Sequence, residues 1–329
     1  MNDLTIIMYH YVRDLKNSRF PEIKGLDICF FKEQFAYLKK HYHFVTAEQV
    51  IAAFKKEEKL PPKAVLLTFD DAYIDHFTNV FPILEHYKIQ GCFYPPVKAI
   101  TEHSVLDVNK VHFILAATPK DQFGRLLETI KQLLNKYQEE YQLDSYDYYF
   151  EKLAVANRFD PKEVIFVKRL LQVELPEKLR NIVTKQLFTE AVKMEEEVFS
   201  RELYMNKDQM RCMVECGMHI GSHGYDHYWL GSLPKEKQED EIQRAISFIN
   251  EIGGDIHNWT MCYPYGNYNN DTIDILKKTG CQFGLTTRVD LASVDSSEEN
   301  AIFTLPRLDT NDIPKQADAP ANEWFQKAK

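Results

Sequence analysis

The sequence predicts an α/β fold, a parallel sheet or barrel whose strand–helix alternation is broken once by a long helical insertion. Three observations carry this. Over the first hundred residues, short apolar runs alternate with stretches of helical spacing. From about 105 to 210, apolar residues recur at helical spacing with few strand signals between them. At Met218 the alternation resumes. A chain of 329 residues is long enough for one large α/β domain with an insertion.

Leu4-Thr5-Ile6-Ile7-Met8 reads as the first strand. Phe30 to Tyr42 is helical, with Phe31, Phe35 and Leu38 on one face. A second helix starts near Thr46, an N-cap with Gln49 three residues on, as in a capping box. Pro61-Pro62 stops the chain before a buried strand, Ala64-Val65-Leu66-Leu67-Thr68-Phe69. Ile74 to Lys88 is helical again, and Gly91-Cys92-Phe93-Tyr94 is the next strand. The insertion shows helical spacing at Phe123 to Tyr137, Val164 to Leu171 and Leu179 to Leu187; its charge runs, such as Glu195-Glu196-Glu197, are solvated surface. Met218-His219-Ile220-Gly221 reads as a strand, followed by a helix near 236–251, a strand near 257–263, a helix near 269–279 and a strand near 281–286. The expected division is therefore a barrel formed by 1–104 and 211–315, a helical insertion over 105–210, and a loosely ordered C-terminal tail over 316–329.

Bulk properties exclude several classes. The formal net charge is −9 with both signs mixed along the chain, and there is no basic stripe, so nucleic acid is not an expected partner. No apolar stretch approaches the length of a membrane span. The N-terminal residues lack a basic segment ahead of an apolar run, and the six cysteines are scattered without a Cys-x-x-Cys pair, so a reduced, cytoplasmic protein is expected. Cys212 and Cys216 share a helix face and are read as packing residues.

Chemistry concentrates at two strand ends. Asp70 and Asp71 close the Ala64–Phe69 strand, and adjacent carboxylates there are costly to bury without a compensating charge. Ser222-His223-Gly224-Tyr225-Asp226-His227 follows the Met218 strand. One aspartate plus two histidines separated by three residues makes a three-ligand metal site with an open position, which suits a hydrolytic divalent ion. Asp71, His223 and His227 are the expected ligands, leaving Asp70 free to act as base. In a parallel α/β fold, both motifs would lie at the C-terminal mouth.

These residues resemble the motifs of the NodB-homology polysaccharide deacetylases, carbohydrate esterase family four. Thr68-Phe69-Asp70-Asp71 is similar to the first motif, Ser222 to His227 to the second, and Tyr263-Pro264-Tyr265-Gly266 to the third. Ile7-Met8-Tyr9-His10 resembles the permuted branch that includes poly-N-acetylglucosamine deacetylases, in which the motif with the catalytic acid comes first. The resemblance covers roughly 1–100 and 211–310. It implies a distorted (β/α)7 barrel and a metal-dependent deacetylase of an N-acetylated sugar, with zinc the foremost metal and cobalt, nickel or iron as alternatives. It also implies roles: Asp70 as base, Asp71, His223 and His227 as ligands, the Tyr265 N–H as oxyanion donor, and His10 as general acid.

The chain departs from the pattern in four places. Ala72 stands where the first motif has glycine, and Gly224 where the second has serine or threonine. Cys262 replaces the arginine that orients the base; Arg307 is the leading substitute and Arg288 the weaker one. No Leu-x-His follows the third motif, which fits permutation or lost activity. Other candidates have plainer readings: His219 as a satisfied histidine, and Lys110 and His112 as a solvated helix face; Tyr225, Tyr228 and Trp229 follow the ligand loop and read equally as sugar platforms or as packing residues. The expected substrate is a nucleotide- or lipid-linked precursor in surface-polysaccharide or lipopolysaccharide assembly, with the insertion narrowing the site. A non-catalytic sugar-binding relative, an O-acetyl esterase and an amidase on a non-sugar substrate are the alternatives.

Overall fold

The computed structural model describes residues 3–157, 160–295 and 300–328. The chain divides into two compact units, one of 1–14, 25–102 and 201–329, the other of 15–24 and 103–200.

The first unit is built on parallel strands. Apart from a small parallel pair, Val12–Arg13 with Leu26–Asp27, the strands in chain order are β1 (Asp3–Tyr9), β2 (His43–Phe44), β3 (Ala64–Asp70), β4 (Gly91–Tyr94), β5 (His219–Ile220), β6 (Met261–Cys262), β7 (Gly284–Leu285), the antiparallel β8 (Ala292–Ser293) and β9 (Leu308–Asp309). β1 pairs with β3, β3 with β4 and β4 with β5, all parallel, with Tyr9 level with Phe69 and Asp70 level with Tyr94. A parallel bridge from Ser222 to Met261 passes the ladder to β6, which pairs with β7. A bridge from Leu285 to Leu305 leads to β9, and β9 pairs with β1. The ring β1–β3–β4–β5–β6–β7–β9 is thus closed, the distorted (β/α)7 barrel that the motifs imply. The short β2 and the antiparallel β8 attach outside this ring.

Alternation along the strands separates an inner from an outer face. Leu4 and Ile6, Leu66, Cys92, Tyr94, Cys262, Leu285 and Leu305 join one cluster across non-adjacent strands, which puts them inside. Ile7, Tyr9, Val65, Leu67, Phe69 and Phe93 join another, with Phe31, Phe35 and Leu38 of the helix Ile28–His41. Continuing the inner parity by steps of two reaches His10, Thr68, Asp70 and Arg307. Gly221 lies where the ladder crosses from β4 to Thr260: a Cβ there would come within 2.4 Å of the Tyr94 ring.

Helices of this unit form where spacing and caps indicate. Thr46 caps the helix Ala47–Phe54 with the expected reciprocal Gln49 bonds. The helices Lys235–Glu251 and Asn270–Lys278 lie where the sequence places them, and their apolar faces pack with Trp259, Met261 and Tyr263.

The second unit is helical throughout its main elements. Asp107–Ala117, Phe123–Tyr141, Tyr146–Leu153, Lys162–Arg169 and Glu177–Val192 are helices, and Glu196–Leu203 begins here. Phe113, Phe166, Phe188 and Phe199 are buried, and Phe20 meets Phe113 edge-on at 5.1 Å.

Two boundaries differ from the sequence reading. Residues 15–24 join the helical unit because Phe20 packs there, and 201–210 join the barrel unit because Met205 and Met210 enter its core. The tail expected to be loose is packed: Trp324 and Phe325 lie against the barrel's outer core. Asn322 caps the helix Glu323–Lys327, and Lys63 Nζ donates to the Phe325 carbonyl at 2.7 Å and to that of Ala328.

Candidate active site

The inner parity brings His10, Asp70 and Arg307 to one mouth of the barrel, and the turn after β3 adds Asp71. Alternation ends at that turn: Asp71 (φ 72) and Ala72 (φ 56) are both left-handed, a conformation that costs a non-glycine residue about 1–2 kcal/mol. The strain at Ala72 gives the physical reason why glycine suits the matching motif position.

Asp71 is 4% exposed. Its Oδ2 accepts from Tyr73 Oη at 2.6 Å, while its Oδ1 is buried without a hydrogen-bond partner. That oxygen lies 3.4 Å from His223 Nε2 and 3.4 Å from His227 Nε2. Burial raises the Asp71 carboxyl, but the His223 and His227 imidazoles outweigh it and hold the group well below the carboxylate range. His223 Nδ1 donates to the Cys262 carbonyl at 2.7 Å, which presents its Nε2 to Asp71. One carboxylate oxygen without a hydrogen-bond partner, facing two imidazole nitrogens at 3.4 Å, is the donor set a borderline divalent cation takes. The residues therefore fit a metal.

A second close set, Asp70, His223 and Cys262, fits less well. Arg307 already engages both Asp70 oxygens, and burial pushes the Cys262 thiol up, keeping its proton.

Asp70 and Arg307 form a bidentate pair, Nη1 to Oδ1 at 2.9 Å and Nη2 to Oδ2 at 2.8 Å. Arg307 is itself fixed by donation to the Thr286 carbonyl at 2.8 Å and Thr68 Oγ1 at 3.1 Å. Burial would raise the Asp70 carboxyl; Arg307 overcomes it and pulls it down to about 2. Arg307, the leading expected substitute, thus clamps Asp70 from another strand end, and Cys262 Sγ lies 3.4 Å from Asp70 Oδ2. Arg288 meets this region through its backbone, its carbonyl accepting the Arg307 N–H at 2.9 Å and its N–H donating to Thr286 Oγ1 at 3.3 Å.

His10 Nε2 is 3.9 Å from Asp70 Oδ2, and its side chain is 42% exposed, so it sits at the mouth facing solvent. The segment after Asp71 anchors its loop. His76 Nε2 donates to the His10 carbonyl at 2.8 Å, Asn79 to the Val12 carbonyl at 2.8 Å, and Arg13 to Asp75 at 2.7 Å. Burial presses His76 down to about 4, so it is a neutral donor at ordinary pH. Tyr265 is left-handed (φ 58); its ring stacks on Trp229 at 4.5 Å and meets His227 edge-on at 4.8 Å.

The remaining candidates are engaged elsewhere. His219 is buried with a ring nitrogen 2.8 Å from Thr260 Oγ1, a satisfied histidine as expected. Lys110, read as part of a solvated face, is instead buried and paired with Glu196 at 2.9 Å in the helical unit. His112 is half-buried in the same helix. Tyr225 donates to Glu102 and carries Arg244 over its ring at 3.2 Å, so its face is not open to a sugar. Tyr228 is half-buried. Sequence reasoning missed Glu241, whose Oε2 accepts from the backbone N–H groups of Tyr225 and Asp226; it sits in a charge-rich helix with no local signal to single it out.

A polysaccharide deacetylase family profile matches residues 183–284, a stretch that holds His223, His227 and Tyr265. The poly-beta-1,6-N-acetyl-D-glucosamine N-deacetylase of Escherichia coli (strain K12) is 35% identical over 96 residues, 29% of this chain and 14% of that protein. The Bacillus subtilis (strain 168) protein YxkH is 33% identical over 94 residues, 28% of this chain and 33% of that protein. Both matched stretches thus span a third or less of the relatives. IcaB from Ammonifex degensii shares the fold, with a TM-score of 0.56 at 18% identity over 99% of this chain and 98% of that one. The resemblance to NodB-type polysaccharide deacetylases, and to those of poly-N-acetylglucosamine among them, is borne out.

Proposed function

We propose that this chain is a metal-dependent hydrolase that removes the acetyl group from an N-acetylated sugar. The observation that carries the reading is the orphaned Asp71 Oδ1, 3.4 Å from each of two imidazole nitrogens and beside an arginine-clamped second carboxylate. A divalent ion held by Asp71, His223 and His227, zinc before cobalt, nickel or iron, would supply Lewis acidity for the acetyl carbonyl and for a water. Asp70, kept ionised and aimed by Arg307, accepts the water's proton. The Tyr265 N–H donates to the oxygen on which charge develops. His10, exposed at the mouth, gives a proton to the departing nitrogen. The name of the Escherichia coli relative supports an N-acetylated sugar as the acyl donor. Arg307 also answers the chief argument for a non-catalytic relative, because Cys262 no longer leaves Asp70 unsupported.

We place the reaction in the cytoplasm, on a nucleotide- or lipid-linked precursor of a surface polysaccharide or lipopolysaccharide. All six cysteines are free thiols, which fits a reducing compartment. Recovery of the protein outside the cytoplasm on cell fractionation would remove that part.

The test offers the metal-loaded enzyme matched N-acetylated and O-acetylated sugars. Acetate with an equal amount of new amine is expected from the N-acetyl compound, falling at least about a hundredfold in Asp70→Asn. Acetate from the O-acetyl compound alone would establish the esterase instead.

A further inference from the structure

The loop between the two ligand histidines is held by a residue outside the ligand set. The chain turns through Gly224 (φ +74) and arrives left-handed at His227 (φ 59). Between them, two successive amides converge on one oxygen: Tyr225 N–H and Asp226 N–H donate to Glu241 Oε2 at 2.9 and 2.8 Å. Glu241 belongs to the helix Lys235–Glu251 and is 6% exposed. Paired backbone N–H groups in a tight turn form a natural anion cradle, here filled by a side chain. The fit is close, since a Cβ on residue 224 would come within 3.2 Å of that same oxygen. Glycine at 224, where the resembling motif has serine or threonine, and glutamate at 241 therefore belong to one arrangement.

The surroundings leave the carboxylate few other tasks. Asp226 turns its side chain to Lys98 at 2.6 Å, and Arg244 lies over the Tyr225 ring. Lys98 N–H donates to the Tyr225 carbonyl at 2.9 Å, so the loop is gripped on its other side as well. Burial is the main influence on the Glu241 carboxyl and lifts it to about 7; the two N–H donors and Arg244 oppose this, and the Asp226 charge adds to it.

We infer that Glu241 is a positioning residue for the ligand loop, fixing the conformation in which His223 and His227 face Asp71 and thereby setting how tightly the site holds a divalent cation. The inference rests on the metal reading proposed above. Its effect on the loop is measurable without any metal.

The experiment uses the full chain and four variants: Glu241→Ala, Glu241→Asp, Glu241→Gln and His223→Ala. Hydrogen exchange at the Tyr225 and Asp226 amides is followed metal-free, and Zn²⁺ affinity by calorimetry. In Glu241→Ala, exchange at both amides is expected to quicken at least about tenfold, with Ile6 and Ile7 of β1 unchanged, and Zn²⁺ affinity to fall about 10–100-fold. Glu241→Gln, whose amide oxygen still accepts, is expected to restore most of both. If Glu241→Ala does not fold, Glu241→Asp decides, since its shorter side chain withdraws the oxygen while keeping the charge. Unchanged exchange at Tyr225 and Asp226, or quickened exchange with undiminished Zn²⁺ affinity, would overturn the inference. Equal Zn²⁺ binding by wild type and His223→Ala would overturn the metal reading instead; the exchange result then still decides whether Glu241 holds the loop.

Discussion

A carboxylate taken out of water needs a compensating charge, and the two adjacent aspartates solve this differently. Asp70 is neutralised within the chain, by the bidentate contact to Arg307. Asp71 is left with one oxygen unsatisfied and two imidazoles facing it, which is where an external cation belongs. Removing one member of a buried pair leaves the other charge stranded, so Arg307→Ala should cost about 3–5 kcal/mol of stability. It should also cut turnover at least as deeply as Asp70→Asn. Joining it to Asp70→Asn should return part of the stability and none of the activity. Urea unfolding and acetate release check this, and an Arg307→Ala protein of wild-type stability would mean that the pair carries little. At this scale the sequence singles out Asp70, Asp71, His223 and His227, which follow strand-like runs at motif spacing, and the fold brings Asp71 to 3.4 Å from both imidazoles. Arg307 was visible only as a candidate: nothing in the linear pattern says that the stretch 305–309 returns beside β1 and β3.

Elements matter here through the loops they hold. The turn after β3, the segment His76–Val80 and the helix Lys235–Glu251 each fix a loop that carries a proposed site residue. Several of the strands concerned are only two residues long, β5, β6, β7 and β9 among them. A period of two cannot declare itself over so short a run, which is why the strand expected near 257–263 shrinks to Met261–Cys262 and β9 went unread. The longer helices are legible because their spacing extends over several turns, whereas short ones such as Tyr146–Leu153 and Glu323–Lys327 are not. Glu241 supplies a pH test at this level. Its carboxyl lies near 7 in the folded chain against 4.5 ordinarily, so the folded state binds more protons between those values and stability falls as pH rises through them. Glu241→Gln lacks this dependence. Metal-free wild type should therefore gain stability over Glu241→Gln as pH drops from 8 to 5, by up to about 3 kcal/mol. Parallel unfolding curves would show that the carboxylate pays no burial cost. The charged groups bearing on it are Asp226, Arg244 and, through Asp226, Lys98.

At the scale of the whole molecule, closure of the barrel creates the site. Asp71 and His223 are far apart in the chain and meet because β3, β4 and β5 are successive members of one parallel ring, whose ends open at one mouth. The alternation of strands and helices made that ring readable in outline, and the motifs made its mouth readable in detail. The path of residues 15–24 into the helical unit and the packing of 323–328 against the barrel were not readable, since both depend on isolated aromatic contacts without periodicity. The central claim is that this topology assembles a three-residue metal site. Elemental mass spectrometry of the purified chain, beside His223→Ala, tests it most directly. The expected result is about one divalent metal per chain, lost in the variant; no metal in either, even after reconstitution with zinc, cobalt or nickel, would contradict it.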